Sequence, residues 1–540
     1  LEAVSASAPV QPFVDASLFT AAHRRLTESQ YRNIIADTFG PEIEINARFE
    51  PERREEGLQA IGNAQMSITT TGLEQYLATA RSIADQVLDE DSRSAQVGCA
   101  PSAPAGEEAE ACARAFLQGR GRQLFRRPLT AEEGARALAV WARGAEASQD
   151  FHTGLKLALT GLLIDPEFLF RAERAEADPK ASSGYRLDAY STASRVSFLL
   201  WDSGPDEALL EAARTGAIYE PARLAAEVDR LLASPRLERG VRAFFTDMLQ
   251  FDAFNSLTKD AATYPKFSQA VADSAREETL RFLVDHLATQ RLDYRDIFTS
   301  RTSFINRPLA AVYNVPFPSA EAWTRFTFPE ATQRSGVLTH ASFLSLFSHP
   351  GSSSPTIRGV KLHEIFLCVR TPEPPPDVDF SKVQAVEKGT VRTRLIEHMT
   401  NPGCATCHRI SDPAGLTLEN FDGLGQFRLT ENGTPIDVSA EIGGRSFSGA
   451  PGLGAYLRDS PLVPACLVRN LHHYGVGRGF DIRDSEYLAR RTQDFAADGY
   501  RMAPLLRAML TDPHFFSVSR PPGLGAQANA QVPAALEGGR

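Results

Sequence analysis

The chain has 540 residues, of which 43% are hydrophobic and 23% are charged, and its formal net charge is -10. At roughly 150 residues per domain, this length predicts about three to five domains, and the composition excludes a disordered protein. The acidic balance and the lack of a basic run exclude a nucleic-acid partner, which would require a basic face. Since no stretch of 18 or more apolar residues occurs, we expect no transmembrane segment in this chain.

The first residues read LEAVSASAPVQPF and lack the basic start and apolar run of a signal peptide. Two interpretations remain open at this point. Either the protein is not exported, or the numbering begins after a signal peptide has been removed. The choice between them depends on the cysteines.

Apolar residues recur every three or four positions along most of the chain, in segments that end at Pro, Gly or Asp-Pro. This pattern predicts α-helices at residues 26–39, 112–126, 155–164, 187–201, 206–214, 222–232, 271–290, 360–367, 391–399, 466–476, 485–497 and 503–510. Strand-like alternation is scarce. The predicted fold class is therefore mainly α, with several successive helical domains.

Four stretches predict linkers between these helices, at residues 94–107, at 175–184, at 371–379 and after 519. The third contains the run PEPPP, which favours a semi-rigid extended segment. We therefore expect this segment to fix the spacing between the residues before and after it.

The sequence that carries chemistry is NPGCATCHRISDP, at residues 401–413. Its CxxCH pattern, Cys404 to His408, is the attachment sequence of c-type haem. Thiols three positions apart on a helical turn reach the two vinyl groups of the haem, and the adjacent His408 binds the iron from the same side. The motif therefore predicts one covalent haem, with Cys404 and Cys407 as attachment points and His408 as an iron ligand.

Three other interpretations compete for this motif. A redox-active CxxC pair favours a βαβ setting, which the helical surroundings lack. A structural zinc site needs a second pair of ligands at zinc-finger spacing, and none follows within about thirty residues. The third interpretation is a chance occurrence.

Beyond the motif, nearly the whole chain resembles the planctomycete-type cytochrome c family, which consists of large exported proteins built from successive domains of unknown function. The matching segments are LTESQYRN at 26–33, RRPLT at 126–130, LDAYSTASRVSFLLW at 187–201, PDEALL at 205–210, GVLTHAS at 336–342, SP at 354–355, RG at 358–359, DPAGL at 412–416, LENFD at 418–422, YGVGR at 474–478 and GY at 499–500. Each short match is unspecific alone, and together they favour haem c over zinc, a redox pair or chance.

The resemblance implies a periplasmic or cell-surface location and one haem c. It also implies a succession of segments along the chain. They are an N-terminal helical domain at 1–95, a helical domain with a disulfide at 96–180, a central helical domain at 181–330, a haem c domain at 331–435, a C-terminal helical domain at 436–518 and a tail at 519–540.

Four cysteines remain outside the motif, an even number that suits two disulfides in an oxidising compartment. Four reduced, buried thiols in the cytosol are the alternative. Four cysteines allow three pairings. Cys99 and Cys112 are close enough in sequence to be bridged, and the layout of the resembled family implies Cys99 with Cys112 and Cys368 with Cys466.

Arg358, Arg428 and Arg478 are candidates for binding the haem propionates, since a guanidinium forms bidentate bonds with a carboxylate. Alternatively, each of these arginines occupies an ordinary surface position. Among the three, we select Arg478 as the residue that binds a propionate.

Three acidic residues follow the motif: Asp412, Glu419 and Asp422. Their settings are more typical of turns and helix caps than of acid–base catalysis. The chain departs from the resembled family at Ser411, where relatives often carry Met. If that Met contributes to the haem environment in relatives, it cannot do so in this chain.

The second axial ligand of the iron decides between two functions, electron transfer and the activation of a small oxidant. The chain offers few side chains that could bind the iron at this position. His472 and His473 lie on a predicted helix, where adjacent residues face about 100° apart, so we expect at most one of them to point inward. We select His473, with Met502 as the next candidate and an open or water-filled position as the other alternative. Met399 is too close to Cys404 to reach across the ring.

The motif and the resemblance favour electron transfer, with a redox partner protein in an exported compartment. The alternative is a haem-dependent oxidoreductase that activates peroxide or oxygen against an extracellular substrate. The size of the chain favours a task beyond simple electron transfer, since a small domain suffices to carry one haem. An accessory to a polysaccharide-binding scaffold is a further possibility without a supporting signature.

Overall fold

The computed structural model describes residues 19–178, 184–317, 322–370, 389–399 and 402–518. The predicted proline run and tail lie outside these residues. The α-helices are α1 Glu28–Phe39, α2 Gln59–Gly62, α3 Thr70–Val87, α4 Arg93–Val97, α5 Glu107–Phe125, α6 Ala131–Ser148, α7 Phe151–Leu163, α8 Pro166–Leu169, α9 Ala189–Trp201, α10 Glu207–Arg214, α11 Pro221–Ala233, α12 Leu237–Met248, α13 Gln269–Leu283, α14 Arg307–Tyr313, α15 Ala341–Leu346, α16 Pro355–Phe366, α17 Val391–Met399, α18 Pro402–Leu416, α19 Gly449–Asp459, α20 Leu462–Val476, α21 Ser485–Ala497 and α22 Met502–Leu510. The predicted fold class, mainly α, is confirmed.

The strands are short and pair antiparallel. They are β1 Phe19–Arg25, β2 Phe170–Ala177, β3 Tyr185–Leu187, β4 Thr302–Ile305, β5 Thr324–Thr327, β6 Thr430–Glu431, β7 Thr434–Pro435, β8 Ser439–Ile442 and β9 Arg445–Ser448. The first three form one sheet in the order β1-β2-β3, and the other six form three two-stranded sheets. The sheet therefore joins the start of the described chain to the segment that precedes α9.

Two predicted linkers contain regular structure, which corrects the sequence interpretation. Residues 175–177 belong to β2, and residues 94–97 belong to α4. The buried side of β2 carries Arg171 and Glu173 beside Ala175, so the strand shows no apolar alternation.

The sequence pattern revealed many of the helices with large apolar side chains, but it missed α12, whose buried face carries Leu237, Val241, Phe244, Phe245 and Met248. The predicted bounds of α17 and α21 agree with the structure. The predicted helix at 271–290 corresponds to two elements, α13, which ends at Leu283, and a π-helix at Val284–Thr289. The pattern missed α3 and α6 because their buried faces consist mostly of Gly, Ala and Thr.

Two apolar clusters form the core of the described residues. One consists mainly of residues from α1, α3 and α5 to α8, and the other consists mainly of residues from α9 to the end of the described chain, together with Leu58 and Ile61. Phe198 of α9 packs in the first cluster, although its neighbours on α9 belong to the second. Within the described ranges, no helix has both the length and the apolar content needed to cross a bilayer.

Both predicted disulfides are present, as the resembled layout implied. Cys99 and Cys112 close the loop between α4 and α5, with their Cα atoms 6.0 Å apart. Cys368, just after α16, is bonded to Cys466 on α20 at a Cα distance of 5.3 Å. The second bridge links two elements that are 98 residues apart in the sequence.

Candidate functional site

The CxxCH motif lies on α18, which begins at Pro402. A proline is favoured in the first turn of a helix, where its missing N–H has no partner to lose. Positions 404, 407 and 408 are three and four residues apart, so the helix brings them to one face. The side chains of Cys404 and Cys407 lie outside the described part of the structure, whereas that of His408 is described.

His408 is oriented by a carboxylate one turn further along α18. Its Nδ1 lies 2.8 Å from Oδ2 of Asp412. This hydrogen bond raises the pKa of His408. In the neutral imidazole, a proton on Nδ1 leaves the ring lone pair on Nε2. A carboxylate in this position fixes the tautomer and the orientation of a metal-binding histidine.

Asp412 is itself held in place, and this corrects its predicted role in a turn or cap. It lies inside α18, is 1% exposed, and its Oδ1 accepts hydrogen bonds from Thr356 at 2.8 Å and from Ser411 at 3.2 Å. The helix continues through Pro413 to Leu416, although proline normally ends or kinks a helix.

The close packing of α18 on α16 accounts for this continuation. A Cβ atom on Gly359 of α16 would lie 1.9 Å from the carbonyl oxygen of Ser411, and one on Gly415 would lie 1.8 Å from that of Pro355. Only glycine permits such an approach of two backbones. The contact between the helices therefore outweighs the local preference of Asp-Pro for a turn.

Arg358 and Arg428, two of the three candidates for the propionates, are engaged by the protein. Arg358 is fully buried and donates to the carbonyl oxygen of Phe421 at 2.8 Å. It also pairs with Glu419 at 3.3 Å, and Glu419 pairs with Arg428 at 2.9 Å. Burial raises the pKa of Glu419 despite these two cations. This network fixes the chain as it leaves α18.

Arg478 belongs to a separate cluster around Asp484. The guanidinium donates to both carboxylate oxygens, at 2.6 and 2.9 Å. His514 lies 2.9 Å from the same carboxylate, and Nε2 of His472 lies 3.3 Å from it. Burial alone would raise the pKa of Asp484, but its bonds with His472, His514 and Arg478 hold the pKa well below the usual range.

His473 is 2% exposed, and its Nε2 has no hydrogen-bond partner. Burial lowers its pKa to about 3, so the ring is neutral, the form in which imidazole binds a metal. The expectation that only one of the two histidines points inward is wrong. Both are buried, because α20 is enclosed on nearly all sides.

Helix α16 contacts both α18 and α20, so it connects the helix of His408 with the helix of His473. Met502, the other candidate for the second ligand, is 3% exposed and packs in the apolar core. The side chain of Met399 lies outside the described residues.

The residues present fit a c-type haem. The helix brings the three motif positions to one face, and Asp412 holds His408 in the tautomer that ligates through Nε2. When bound, haem c supplies a reversible one-electron carrier whose potential depends on its axial ligands and surroundings.

The fold and the motif together define a large, mainly helical protein with a c-type haem attachment sequence. Five family models match in succession, each described as a protein of unknown function: DUF1587 at 24–89, DUF1595 at 112–173, DUF1592 at 187–315, DUF1588 at 334–431 and DUF1585 at 443–515. These are domains of the planctomycete-type cytochrome c family, and the chain belongs to that family. No curated protein and no solved structure matches the chain.

Sequence reasoning missed the role of Asp412 and its support by Thr356. The available signal was the spacing of four residues between His408 and Asp412, which places both on one face of a helix. The Asp-Pro pair concealed it, because that pair predicted the end of the helix before the two side chains could meet. Thr356 lies 56 residues away from Asp412, so only the fold brings the two together.

Proposed function

We propose that the protein is an exported monohaem c-type cytochrome that transfers electrons to or from a redox partner protein. The observation that carries the proposal is the hydrogen bond between His408 and Asp412 on the helix that bears the CxxCH motif. The motif falls within residues 334–431, which match the family model named PSCyt3.

Each residue has a distinct task under this proposal. Cys404 and Cys407 form the thioether bonds, and His408 binds the iron through Nε2 while Nδ1 remains bonded to Asp412. His473 is proposed as the second axial ligand. Arg478 is proposed to bind a propionate, and to do so its guanidinium exchanges Asp484 for the new carboxylate.

The exported location has support from the two disulfides. Disulfides persist in oxidising compartments and are rare in the cytosol. One of them joins α20 to the chain after α16, so it contributes to the packing around the proposed site.

The purified protein tests the proposal directly. The haem should remain with the denatured chain after extraction with acidic acetone, because thioether bonds survive denaturation. The pyridine haemochrome spectrum should correspond to one haem per chain. A Cys404→Ala/Cys407→Ala variant should lose covalent haem, whereas the control variant Cys99→Ala/Cys112→Ala should retain it. Complete extraction of the colour from the wild-type chain would contradict covalent attachment.

The alternative function is a haem-dependent oxidoreductase that activates peroxide or oxygen. It requires an axial position that is open to a small oxidant, whereas an electron carrier is best served by two protein ligands. An optical titration of the reduced protein with and without peroxide separates the two. If the protein transfers electrons, peroxide should reoxidise the reduced haem slowly. If the protein is an oxidoreductase, peroxide should change the absorption spectrum rapidly and an added reducing substrate should be turned over.

A further inference from the structure

The disulfide between Cys368 and Cys466 connects α20, the helix that carries His473, to the C-terminal end of α16. Helix α16 is also the helix on which α18 packs. This bridge therefore ties the helix of the proposed second ligand to the pair of helices that presents His408.

Two close contacts define the register of α16 and α18. Gly415 lies against the carbonyl oxygen of Pro355, and Gly359 lies against that of Ser411. Four residues forward on α16 thus correspond to four residues back on α18, so the two helices are antiparallel. One to two turns further, the same register places the CxxCH motif beside the C-terminal end of α16. The motif and Cys368 therefore lie at the same end of α16.

The face of α20 that carries His473 is turned towards this end of α16. Cys466 and His473 are seven residues apart, which is close to two helical turns, so their side chains extend from one face of α20. Sγ of Cys466 lies 3.4 Å from the carbonyl oxygen of Ile365, which places that face against α16. The bridge therefore directs the face of His473 towards the helix end where the motif lies.

The backbone of Cys368 adopts a conformation that favours glycine. Its φ is +55°, in the left-handed region. The N–H of the next residue, Val369, donates to the carbonyl oxygen of His363 at 3.0 Å. Helices commonly end with a left-handed residue in this arrangement, and glycine is the most frequent choice there. A cysteine at this position costs conformational free energy, so the bond to Cys466 accounts for its presence.

Nε2 of His473 is buried and has no hydrogen-bond partner among the described residues. The adjacent His472 faces about 100° away on the helix and lies 3.3 Å from Asp484. The place of Nε2 of His473 is therefore set by the packing of α20 and not by a polar partner. Any element that fixes α20 relative to α16 also fixes this atom.

We propose that the bridge between Cys368 and Cys466 is a positioning element that holds His473 where it binds the iron as the second axial ligand. This inference rests on the proposed function, since it requires haem on α18 and His473 as its second ligand. Without the bridge, α20 can shift relative to α16, and the second axial position is open for a larger part of the time. A position that is open in roughly a tenth of the molecules binds an external ligand about tenfold more weakly than one that is always open.

Binding of carbon monoxide to the full-length, haem-loaded protein, reduced with dithionite, tests the proposal. Cys368→Ala/Cys466→Ala should bind carbon monoxide roughly tenfold more tightly than the wild type, because His473 no longer holds the second axial position. Before carbon monoxide is added, its Soret band should shift in the same direction as that of His473→Ala. The matched control Cys99→Ala/Cys112→Ala, which lacks the other disulfide, should equal the wild type in both respects.

A second measurement opens the bridge without a substitution at either end of it. In the folded Cys99→Ala/Cys112→Ala protein, a dithiol reagent reduces the bridge to two thiols and is itself oxidised to a disulfide. Alkylation of the thiols followed by mass spectrometry verifies the reduction. The affinity for carbon monoxide should rise on reduction and return to its first value on reoxidation, which separates a change of position from a loss of fold.

Unchanged affinity for carbon monoxide in the folded bridge variant, or in the protein whose bridge is verified as open, overturns the proposal. Loss of the helical circular dichroism signal in both forms also overturns it, since the disulfide then acts on the whole fold. If the proposed function fails, the chain holds no covalent haem or His473→Ala binds carbon monoxide as the wild type does, and the role of the bridge falls with it. If His473→Ala responds and the bridge variant does not, the proposed function stands and only the role of the bridge is removed.

Discussion

The hydrogen bond from His408 to Asp412 shows how a single buried carboxylate specifies the chemistry of its neighbour. The imidazole is 20% exposed on its side chain, whereas Asp412 is buried and bonded on its other oxygen to Thr356. The carboxylate therefore cannot turn away, and it fixes the tautomer of His408. The motif predicted the histidine from sequence, and the fold was needed to find the partner.

Replacing Asp412 by Asn tests this role. The amide lacks the negative charge that increases electron donation by the imidazole, so the oxidised haem should be less stabilised and the midpoint potential should rise. Potentiometric titration of the haem-loaded variant measures the change. The control is Thr356→Val, which removes a bond to Asp412 and leaves the partner of Nδ1 in place. A potential equal to that of the wild type would exclude an electronic role for Asp412.

The buried, partnerless Nε2 of His473 leads to a second prediction. If His473 is the second axial ligand, His473→Ala should shift the Soret band and increase the affinity for cyanide and carbon monoxide, because the position becomes open. Absorption spectra and ligand titrations report both effects. Met502→Leu, which preserves the apolar packing, should change neither. If only the Met502 variant responds, the ligand is the thioether.

Among the elements, helices followed from the sequence more reliably than strands. Helix starts coincide with side-chain caps, such as Thr27 before α1 and Asp188 before α9. Strand β2 was missed because its buried positions hold Arg171 and Glu173. Glu173 pairs with Arg24, Arg171 and Arg195, so a charged network occupies the place where an apolar row would have indicated a strand.

The capping box at the start of α6 predicts a pH-dependent contribution to stability. Burial alone would raise the pKa of Glu133, but its hydrogen bonds with Arg127 and Thr130 lower it from 4.5 to about 2. A carboxyl group whose pKa is lower in the folded state than in the unfolded state contributes its full stabilisation at pH values above the unfolded-state pKa. This contribution is lost as the pH falls towards the folded-state pKa.

Glu133→Gln should therefore lower the free energy of unfolding at pH 7 by about 1 to 2 kcal/mol, after allowance for solvent screening of a partly exposed pair. The difference from the wild type should narrow as the pH falls below 4.5. Glutamine still reaches back to the N-cap backbone, so the capping geometry is kept. Urea unfolding at several pH values measures the effect, with Glu132→Gln as the exposed neighbouring control. A difference independent of pH would refute the electrostatic origin.

At the scale of the whole molecule, the sequence predicted the succession of helices and both disulfides, while the way distant parts meet came only from the structure. The contact of β1 with α20 joins Arg24 to the backbone of Tyr474 across 450 residues. Local periodicity carries no information on such pairs.

The two disulfides should differ in their contributions to stability. In the chain-entropy model, a bridge stabilises according to the length of the loop that it closes. Separations of 98 and 13 residues correspond to about 5 and about 3 kcal/mol. Chemical unfolding of Cys368→Ala/Cys466→Ala and Cys99→Ala/Cys112→Ala should therefore show the larger loss for the first pair. The reverse order would mean that local packing, and not loop length, determines the effect.

The bonds from Arg24 to the carbonyl oxygens on α20 have a consequence for the timing of folding. At roughly 5 to 20 residues per second, the ribosome needs on the order of half a minute or more to make the 450 residues between Arg24 and Tyr474. Until then, Arg24 has no carbonyl oxygens of α20 to donate to, and its remaining partner is Glu173 of β2. The first strand that the structure describes is thus among the last to reach its final surroundings, and a chain that stops before α20 leaves the guanidinium of Arg24 without two of its hydrogen-bond acceptors.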